Sequence, residues 1–210
     1  IVGSHAGISV GPDGGTHQAI EDIAITRVIP RMVVLSPCDT LEAKKATLAS
    51  VETGTPVYLR LAREKTPVMT TEKTPFTIGK AESFWLSENP KVGIVVTGAL
   101  LHKALVAAKE LEKKGIETEV VNLSTIKPLD EKKILELAQK TKRIVTVEEH
   151  QIRGGAGSAV AEFLAKNFAV PIEFVGVDDD FGQSGTPEEL IEHYGMGTKD
   201  IVKAVERVLG

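Results

Sequence analysis

The second half of the chain alternates between short apolar runs and helix-like segments, and this alternation constrains its fold more than any other feature. Runs rich in β-branched residues occupy 92–98, 116–124, 143–150 and 171–177. Segments with apolar residues at helical spacing occupy 100–115, 128–140, 156–167, 187–195 and 198–209. Strands that alternate with helices usually pair in parallel, because each crossover helix returns the chain to the same end of the sheet. The sequence therefore predicts an α/β unit with a mostly parallel sheet.

The first part of the chain follows the same rule. After a glycine-rich loop, the pattern predicts a helix at 18–28, a strand at 31–36, a helix at 39–51 and a strand at 57–62. Asp39 followed by Glu42 is typical of a helix N-cap. We therefore expect a second α/β unit here, again with parallel pairing.

Residues 64–90 lose this periodicity and contain three prolines and five threonines, a composition typical of a linker. A short hairpin around Phe76 and Trp85 is the only element that we predict there. We divide the chain into a partial first unit at 1–70, a linker at 71–90 and a second unit at 91–210.

Composition narrows the class of protein. A formal charge of −4 and a pI near 5.8 argue against nucleic-acid binding, which usually needs a concentrated basic face. No run reaches the roughly 20 apolar residues that span a bilayer, so we expect no membrane insertion. The single cysteine, Cys38, cannot form an internal disulfide, so a cytoplasmic location is expected. The chain begins at Ile1 without an initiating Met, and we expect a missing N-terminal portion.

The opening loop concentrates groups that can do chemistry. Residues 3–17 hold five glycines together with His5, Asp13 and His17. Glycines let a backbone approach a ligand closely, imidazoles can shuttle protons near neutral pH, and a carboxylate accepts hydrogen bonds from sugar hydroxyls. The loop lies between a strand and a helix, where open α/β sheets bind ligands. The residue types alone fit equally a glycine-rich surface turn with solvated histidines.

Residues 4–43, SHAGISVGPDGGTHQAIEDIAITRVIPRMVVLSPCDTLEA, closely resemble the pyrimidine-domain segment of transketolases. The matching positions are Gly11, Asp13, Gly14, Thr16, His17, Gln18, Arg27, Ile29, Pro30, Pro37 and Asp39. The resemblance continues through 55–67, where Arg63 occupies the place of a family arginine after a strand. The second unit, with VVTGALL (95–101), VVNLSTIKPLD (120–130) and IVTVEEH (144–150), resembles the transketolase C-terminal domain.

This resemblance implies an enzyme of the pentose phosphate pathway that uses thiamine diphosphate to transfer a two-carbon ketol unit between sugar phosphates. It implies that His5 contacts the sugar near its reacting hydroxyls or phosphate, and that Asp13 contacts the hydroxyl beside the carbonyl. It places His17 near the cofactor's aminopyrimidine and reactive carbon, where an imidazole can assist proton transfer. Arg63 would bind the sugar phosphate, a task that suits a guanidinium.

The resemblance also implies that this chain is catalytically incomplete. The family's catalytic glutamate and the aromatic residues around the pyrimidine ring lie upstream of this segment. The diphosphate and its Mg²⁺ or Ca²⁺ belong to another domain or chain, so we expect no metal ligands here. A homodimer or a heterotetramer with a diphosphate-binding chain follows. Gly15 stands where many members have proline, and Cys38, where small residues are usual, is interpreted as a packed, inert thiol.

Three other functions remain open. A deoxyxylulose-phosphate synthase shares Asp-Gly-x-Thr-His but usually carries an arginine near the position of His5. The beta subunit of a 2-oxoacid dehydrogenase has a different His-Ser pattern in this loop. A non-catalytic α/β module, used for oligomerisation, would have no need to combine His5, Asp13, His17 and Arg63.

Other candidate sites are weaker. RGGAGSAVA (153–161) precedes a helix as a dinucleotide-binding loop does, but it lacks the third glycine, and we interpret it as a structural turn. Glu148, Glu149 and His150 at the end of a strand are interpreted as a packed cluster between the two units. In DDDFGQSGTPEEL (178–190), Thr186 and Pro187 are typical of a helix start.

Overall fold

Two β-sheets flanked by helices make up the protein, and a computed structural model describes all 210 residues. The regular elements are, in chain order, β1 (Val2–Gly3), α1 (Asp22–Arg27), β2 (Val33–Leu35), α2 (Thr40–Val51), β3 (Val57–Arg60), β4 (Glu82–Leu86), β5 (Val92–Val96), α3 (Leu101–Lys113), β6 (Thr118–Asn122), β7 (Thr125–Lys127), α4 (Glu131–Thr141), β8 (Ile144–Gln151), α5 (Ala156–Asn167), β9 (Ile172–Val177), α6 (Pro187–His193) and α7 (Thr198–Leu209). No helix is long and apolar enough to cross a lipid bilayer.

The larger sheet has the strand order β4-β6-β5-β8-β9 and is parallel except for β4. Successive residues of a strand point to opposite faces, and both faces of this sheet are covered. In β5, Ile94 packs into the cluster that includes residues of α3 and α7, whereas Val95 packs into the cluster that includes residues of α4 and α5. The expected α/β unit with a mostly parallel sheet is confirmed.

The smaller sheet has the order β1-β3-β2-β7. Its first three strands are parallel, as the helix–strand alternation predicts, and β7 pairs antiparallel with β2. This fourth strand comes from the second half of the chain, immediately after β6, and the sequence analysis did not predict it. A strand of three residues is too short for its periodicity to be visible in the sequence.

Two predicted elements differ in the structure. The prediction of a hairpin around Phe76 and Trp85 is wrong. Trp85 belongs to β4, which pairs with β6 at the edge of the larger sheet. Phe76 instead packs against the apolar cluster of the smaller sheet. The helix expected at 18–28 begins only at Asp22. The preceding segment is held extended by a parallel bridge between Ala6 and Ala19.

The predicted N-caps are present. Asp39 accepts from the Glu42 amide at the start of α2, although the Glu42 carboxylate accepts from the Cys38 amide instead of completing a capping box. Thr186 forms a full capping box at α6, with proline at the first helical position. Local sequence therefore determines where both helices begin.

A buried guanidinium joins the two units. Arg60 donates through Nε to Asp22 Oδ2 at 2.8 Å. Its Nη2 donates to the carbonyl of Ala19 at 3.1 Å and to the carbonyl of Glu149 at 2.8 Å. Tyr58 donates its hydroxyl proton to Asp22 Oδ2 at 2.7 Å. Arg60 therefore binds the end of β8 to the first unit through a charge-assisted network that excludes water.

His150 forms a second connection between the units. Its Nε2 accepts from the amides of Ile23 (3.1 Å) and Ala24 (3.3 Å) at the start of α1, and its Nδ1 lies 2.7 Å from the carbonyl of Gln151. This pattern assigns the proton to Nδ1 and requires a neutral ring. Burial, reinforced by the positive charge of Arg60, lowers the pKa of His150 to about 4.

Glu148 completes the cluster at the N-terminus of α5. Its carboxylate accepts from the amides of Ala156 (2.7 Å) and Gly157 (2.9 Å), and burial raises its pKa to about 7. The interpretation of Glu148, Glu149 and His150 as a packed cluster between the units is confirmed. Because Glu148 occupies the helix N-terminus where a pyrophosphate would bind, the 153–161 loop is a structural turn.

The neutral state of His150 predicts a pH-dependent loss of stability. Its pKa lies below the ordinary value of 6.5 only in the folded protein, so its contribution is present above pH 6.5 and is lost as the pH falls towards 4. A shift from 6.5 to about 4 corresponds to about 3 kcal/mol at about 1.4 kcal/mol per unit.

We expect the free energy of unfolding of the wild type to fall more steeply between pH 6.5 and 4 than that of His150→Gln, measured by urea denaturation. The other titratable groups are present in both proteins, so the difference between the two pH profiles reports the titration of the His150 ring. Parallel pH profiles would contradict a neutral buried His150.

Candidate functional site

The glycine-rich loop leaves the smaller sheet at the carboxyl end of β1 and returns close to its starting point. Ala6 and Ala19 form a parallel bridge, and the Gly7 amide donates to the carbonyl of Ala19 at 2.8 Å. The Ala6 amide also donates to the carbonyl of Leu61, just after β3, at 3.0 Å. The loop therefore has a closed base at the edge of the sheet where α/β proteins bind ligands.

Within the loop, a kinked 3₁₀ segment covers Ile8–Asp13. The side chains of Ile8 and Val10 are fully buried and anchor the segment to the core. Gly11 has φ = 82° and Gly14 has φ = 77°, values that strain residues with a side chain. Gly7 also has φ = 92°, so three of the five glycines are required by the backbone itself.

Asp13 and Arg63 are brought together by this path. Arg63 Nη1 lies 3.1 Å from Asp13 Oδ2 and donates to the carbonyl of Val10 at 2.6 Å. Both side chains remain about one-third exposed. The fold therefore brings into contact two of the predicted site residues that lie fifty positions apart in the sequence.

The two histidines stand apart from this ion pair. His17 is exposed, and its side chain makes a single hydrogen bond, between Nδ1 and the Thr16 hydroxyl at 2.9 Å. His5 is also exposed, adopts φ = 59°, and its ring makes no hydrogen bond within the chain. Neither imidazole bonds to Asp13 or Arg63. The term site face is used below for these four residues, whose side chains are exposed or partly exposed.

A cavity of about 550 Å³ lies beside Arg63. Its wall includes Pro37, Asp39 and Thr40 at the start of α2 and the segment 61–66. Of the four predicted site residues, only Arg63 lines it. Cys38 also borders the cavity, but burial, reinforced by the charge of Glu42, raises the pKa of its thiol. The thiol is therefore protonated at neutral pH, in agreement with the interpretation of Cys38 as inert.

The second unit packs against the glycine-rich loop, a contact that the sequence analysis missed. Gln18 is buried and donates through Nε2 to the carbonyls of Ile8 and Gln183, both at 3.0 Å. A side chain at Gly15 would collide with the carbonyl of Gly182. This packing accounts for glycine at the position where a proline is common in the resembling family. In the sequence, only Gly182 and Gly185, which follow an acidic segment, gave any indication of this contact.

No group of three or more His, Cys, Asp or Glu side chains in the structure is arranged to hold a metal ion. The site described here therefore consists of one ion pair, two exposed imidazoles and a neighbouring cavity. This donor set can bind an anionic group, accept hydrogen bonds from hydroxyls and exchange protons.

Comparison with known proteins identifies both units. Residues 1–69 match the family model described as "Transketolase, pyrimidine binding domain", and residues 79–201 match the one described as "Transketolase, C-terminal domain". Together these matches cover most of the chain, and they agree with the two sheets.

Two curated relatives align with almost the whole chain. "6-deoxy-6-sulfo-D-fructose transketolase subunit SqwH" of Clostridium sp. (strain MSTE9) is 42% identical over 208 residues, covering 99% of this chain and 64% of the relative. "Putative transketolase C-terminal section" of Methanocaldococcus jannaschii is 41% identical over 209 residues, covering 98% of this chain and 64% of the relative. The chain thus spans just under two thirds of the length of these proteins.

A solved structure described as "Split gene transketolase, inactive beta4 tetramer" superimposes with a TM-score of 0.92 at 39% identity, covering 100% of this chain and 66% of that chain. The resemblance drawn from the sequence motifs is confirmed. The chain belongs to the transketolase family and corresponds to its pyrimidine-binding and C-terminal domains.

Proposed function

We propose that this chain is the C-terminal section of a split transketolase, which transfers a two-carbon ketol unit between sugar phosphates when it is assembled with a diphosphate-binding chain. The observation that carries the proposal is the Asp13–Arg63 ion pair at the edge of the sheet, with His5 and His17 exposed on the same loop as Asp13. A scaffold has no use for this combination of groups, whereas a phosphorylated ketose matches all of them.

Arg63 is proposed to bind the anionic end of the sugar. Its Nη1 is engaged by Val10 and Asp13, whereas its Nη2 makes no hydrogen bond within the chain. The free Nη2 can therefore donate hydrogen bonds to a phosphate oxygen while Nη1 keeps the contacts that orient the side chain. The name of the Clostridium relative includes a sulfo group, which is also anionic, and this supports an anion-binding role for the matching position.

Asp13, oriented by Arg63, is proposed to accept a hydrogen bond from the sugar hydroxyl next to the carbonyl. A carboxylate only accepts hydrogen bonds, so it favours sugars whose hydroxyl points towards it. In this way Asp13 would contribute stereochemical preference. His5, which is exposed on the same loop, would contact the same sugar near its reacting hydroxyls or phosphate.

His17 is proposed to hold and move a proton at the reacting hydroxyl. Its Nδ1 is engaged by Thr16, which leaves Nε2 as the nitrogen available for exchange. The ring is exposed in the chain alone, so proton transfer in a water-excluded pocket requires that another surface covers it.

Family membership implies thiamine diphosphate as the cofactor, and the donor set of this face fits only its reactive end. When bound, the cofactor supplies carbanion stabilisation, which side chains do not provide. His17 and His5 offer proton exchange beside it. The chain offers no cluster of acidic or imidazole side chains for a metal, so we assign the diphosphate and its Mg²⁺ or Ca²⁺ to the partner chain.

The partner is proposed to be a transketolase N-terminal chain, in a dimer or heterotetramer of the two kinds of chain. The open site face and the similarity to a tetramer whose description calls it inactive both support a need for such a partner. A non-catalytic oligomerisation module and the related thiamine enzymes, deoxyxylulose-phosphate synthase and 2-oxoacid dehydrogenase, are the alternatives. The first experiment distinguishes the module and the synthase from a transketolase.

The first experiment combines the full-length protein with a separately expressed diphosphate-binding chain. We expect ketol transfer from a ketose phosphate to an aldose phosphate that requires both chains and added thiamine diphosphate. Size-exclusion chromatography establishes that the chains associate. Association without transfer would favour a non-catalytic module, and condensation of pyruvate with an aldose phosphate would favour the synthase.

His17→Ala should lower kcat of the assembled enzyme by at least about a hundredfold, the smaller end of typical acid–base contributions. Its free energy of unfolding should stay within about 0.5 kcal/mol of the wild type, because the ring is exposed. His193→Ala, at another exposed histidine, is the control and should change neither quantity. Equal losses of turnover and stability in His17→Ala would indicate a structural role.

Arg63→Ala should raise KM for phosphorylated sugars by about tenfold or more, since hydrogen bonds between charged groups are worth about 1.5–3 kcal/mol. The value for unphosphorylated analogues should rise much less, since these sugars lose only the orientation that Arg63 gives to Asp13. Arg207→Ala, which removes a surface arginine paired with Glu173, serves as the matched control in the same steady-state assay. Similar increases for both classes of sugar would overturn the assignment of Arg63 to the phosphate.

A further inference from the structure

We propose that Glu149, which belongs to the second unit, is a positioning residue that holds the glycine-rich loop in the shape needed for catalysis. The inference rests on the proposed function for its catalytic consequence, while its structural part can be tested without any activity. It gives the second unit a role in the reaction although none of its side chains belongs to the site face.

The contact that carries this proposal joins the end of β8 to the middle of the loop. Glu149 is buried, and its Oε1 accepts the backbone proton of Ser9. A carboxylate that accepts a backbone amide proton in a dry environment forms a strong, directional bond. Because Ser9 lies four residues from His5 and four from Asp13, this bond fixes the loop between two of the proposed site residues.

The sequence of the loop makes room for this carboxylate. A Cβ at position 7 would overlap Glu149 Oε1, and Gly7 has φ = 92°. Glycine is therefore required at this position both by its backbone conformation and by the close approach of Glu149. The contact therefore depends on the glycine in the loop as well as on the carboxylate at the end of β8.

Arg60 supports the same carboxylate from the base of the loop. Its Nη2 donates to the Glu149 carbonyl and to the carbonyl of Ala19, where the loop returns to the sheet. Burial raises the pKa of Glu149, and the positive charge of Arg60 opposes this rise by favouring the ionised form. Arg60 thus links Ala19, where the loop closes, to Glu149, which holds the centre of the loop.

A second connection acts at the far side of the loop. Gln18 bonds the carbonyls of Ile8 and Gln183, and it is adjacent in sequence to His17. Glu149 and Gln18 together attach both halves of the loop to the second unit. A loop with five glycines loses much conformational entropy on ordering, so it needs such attachments to keep its side chains placed.

Placement matters because a displacement of about 1 Å at a catalytic group can lower the rate by about a hundredfold. Without the bond to Ser9, we expect the loop to sample several conformations and its site residues to occupy the reactive geometry less often. The expected effect falls on kcat more than on KM for phosphorylated sugars, since Arg63, the residue proposed to bind the phosphate, lies outside the loop.

The structural test uses the full chain and two substitutions of similar volume, Glu149→Leu and Glu149→Gln. Amide hydrogen exchange is measured for residues 7–19. We expect exchange in this segment to accelerate by about tenfold or more in Glu149→Leu, which has no acceptor, and to stay near the wild-type rate in Glu149→Gln, whose amide oxygen still accepts.

Tyr58→Phe is the matched control, because it removes a hydrogen bond of the same buried network that joins Tyr58 to Asp22 and involves no residue of 7–19. It should lower the thermal unfolding temperature and leave exchange at 7–19 unaccelerated relative to neighbouring elements. If Glu149→Leu fails to fold, Gln18→Met tests the same idea from the other attachment. Unchanged loop exchange in the folded variants would overturn the proposal.

The catalytic test uses the assembled enzyme. We expect kcat to fall by about tenfold or more in Glu149→Leu and to recover in Glu149→Gln. Loosening of the loop with unchanged kcat would refute the positioning role. Absence of ketol transfer in the wild type as well would refute only the proposed function, and the exchange result would still decide whether Glu149 orders the loop.

Discussion

The buried guanidinium of Arg60 is the interaction on which the rest of the structure depends. It bonds Asp22 at the start of α1, the carbonyl of Ala19 where the loop closes, and the carbonyl of Glu149 at the end of β8. A buried arginine is tolerated only when its donors find acceptors, and here those acceptors come from both units. The relative placement of the two sheets and the anchoring of the glycine-rich loop therefore share one electrostatic origin.

Much of the fold could be predicted from the sequence because its signals are local. The buried run of β5, the helix start at Thr186 and the cap at Asp39 each depend on residues within a few positions. The elements that were missed depend on distant partners. The edge strand β4 exists because β6 offers a pairing edge, and α1 begins late because Ala6 holds Ala19 in an extended segment.

The candidate site shows the same difference between features that the local sequence predicts and features that depend on distant partners. A motif resemblance is enough to nominate His5, Asp13, His17 and Arg63, because it depends on residue identity and spacing. It gives no distances, and the structure adds that Asp13 and Arg63 form an ion pair while both imidazoles remain unattached to it. The hydrogen bonds by which Glu149 and Gln18 hold the loop could not be predicted. Nothing in the sequence indicates which backbone amide a buried carboxylate far along the chain will bind.

The origin of β7 has a consequence for any attempt to divide this protein. This strand follows β6 without a break, yet its hydrogen bonds complete the smaller sheet beside β2. A cut anywhere in the 71–90 segment would leave the amino-terminal fragment with bare amide and carbonyl groups along β2, inviting self-association through that edge. The smaller sheet thus needs strands from both halves of the chain. Experiments on isolated fragments would therefore report aggregation instead of the properties of an independent domain.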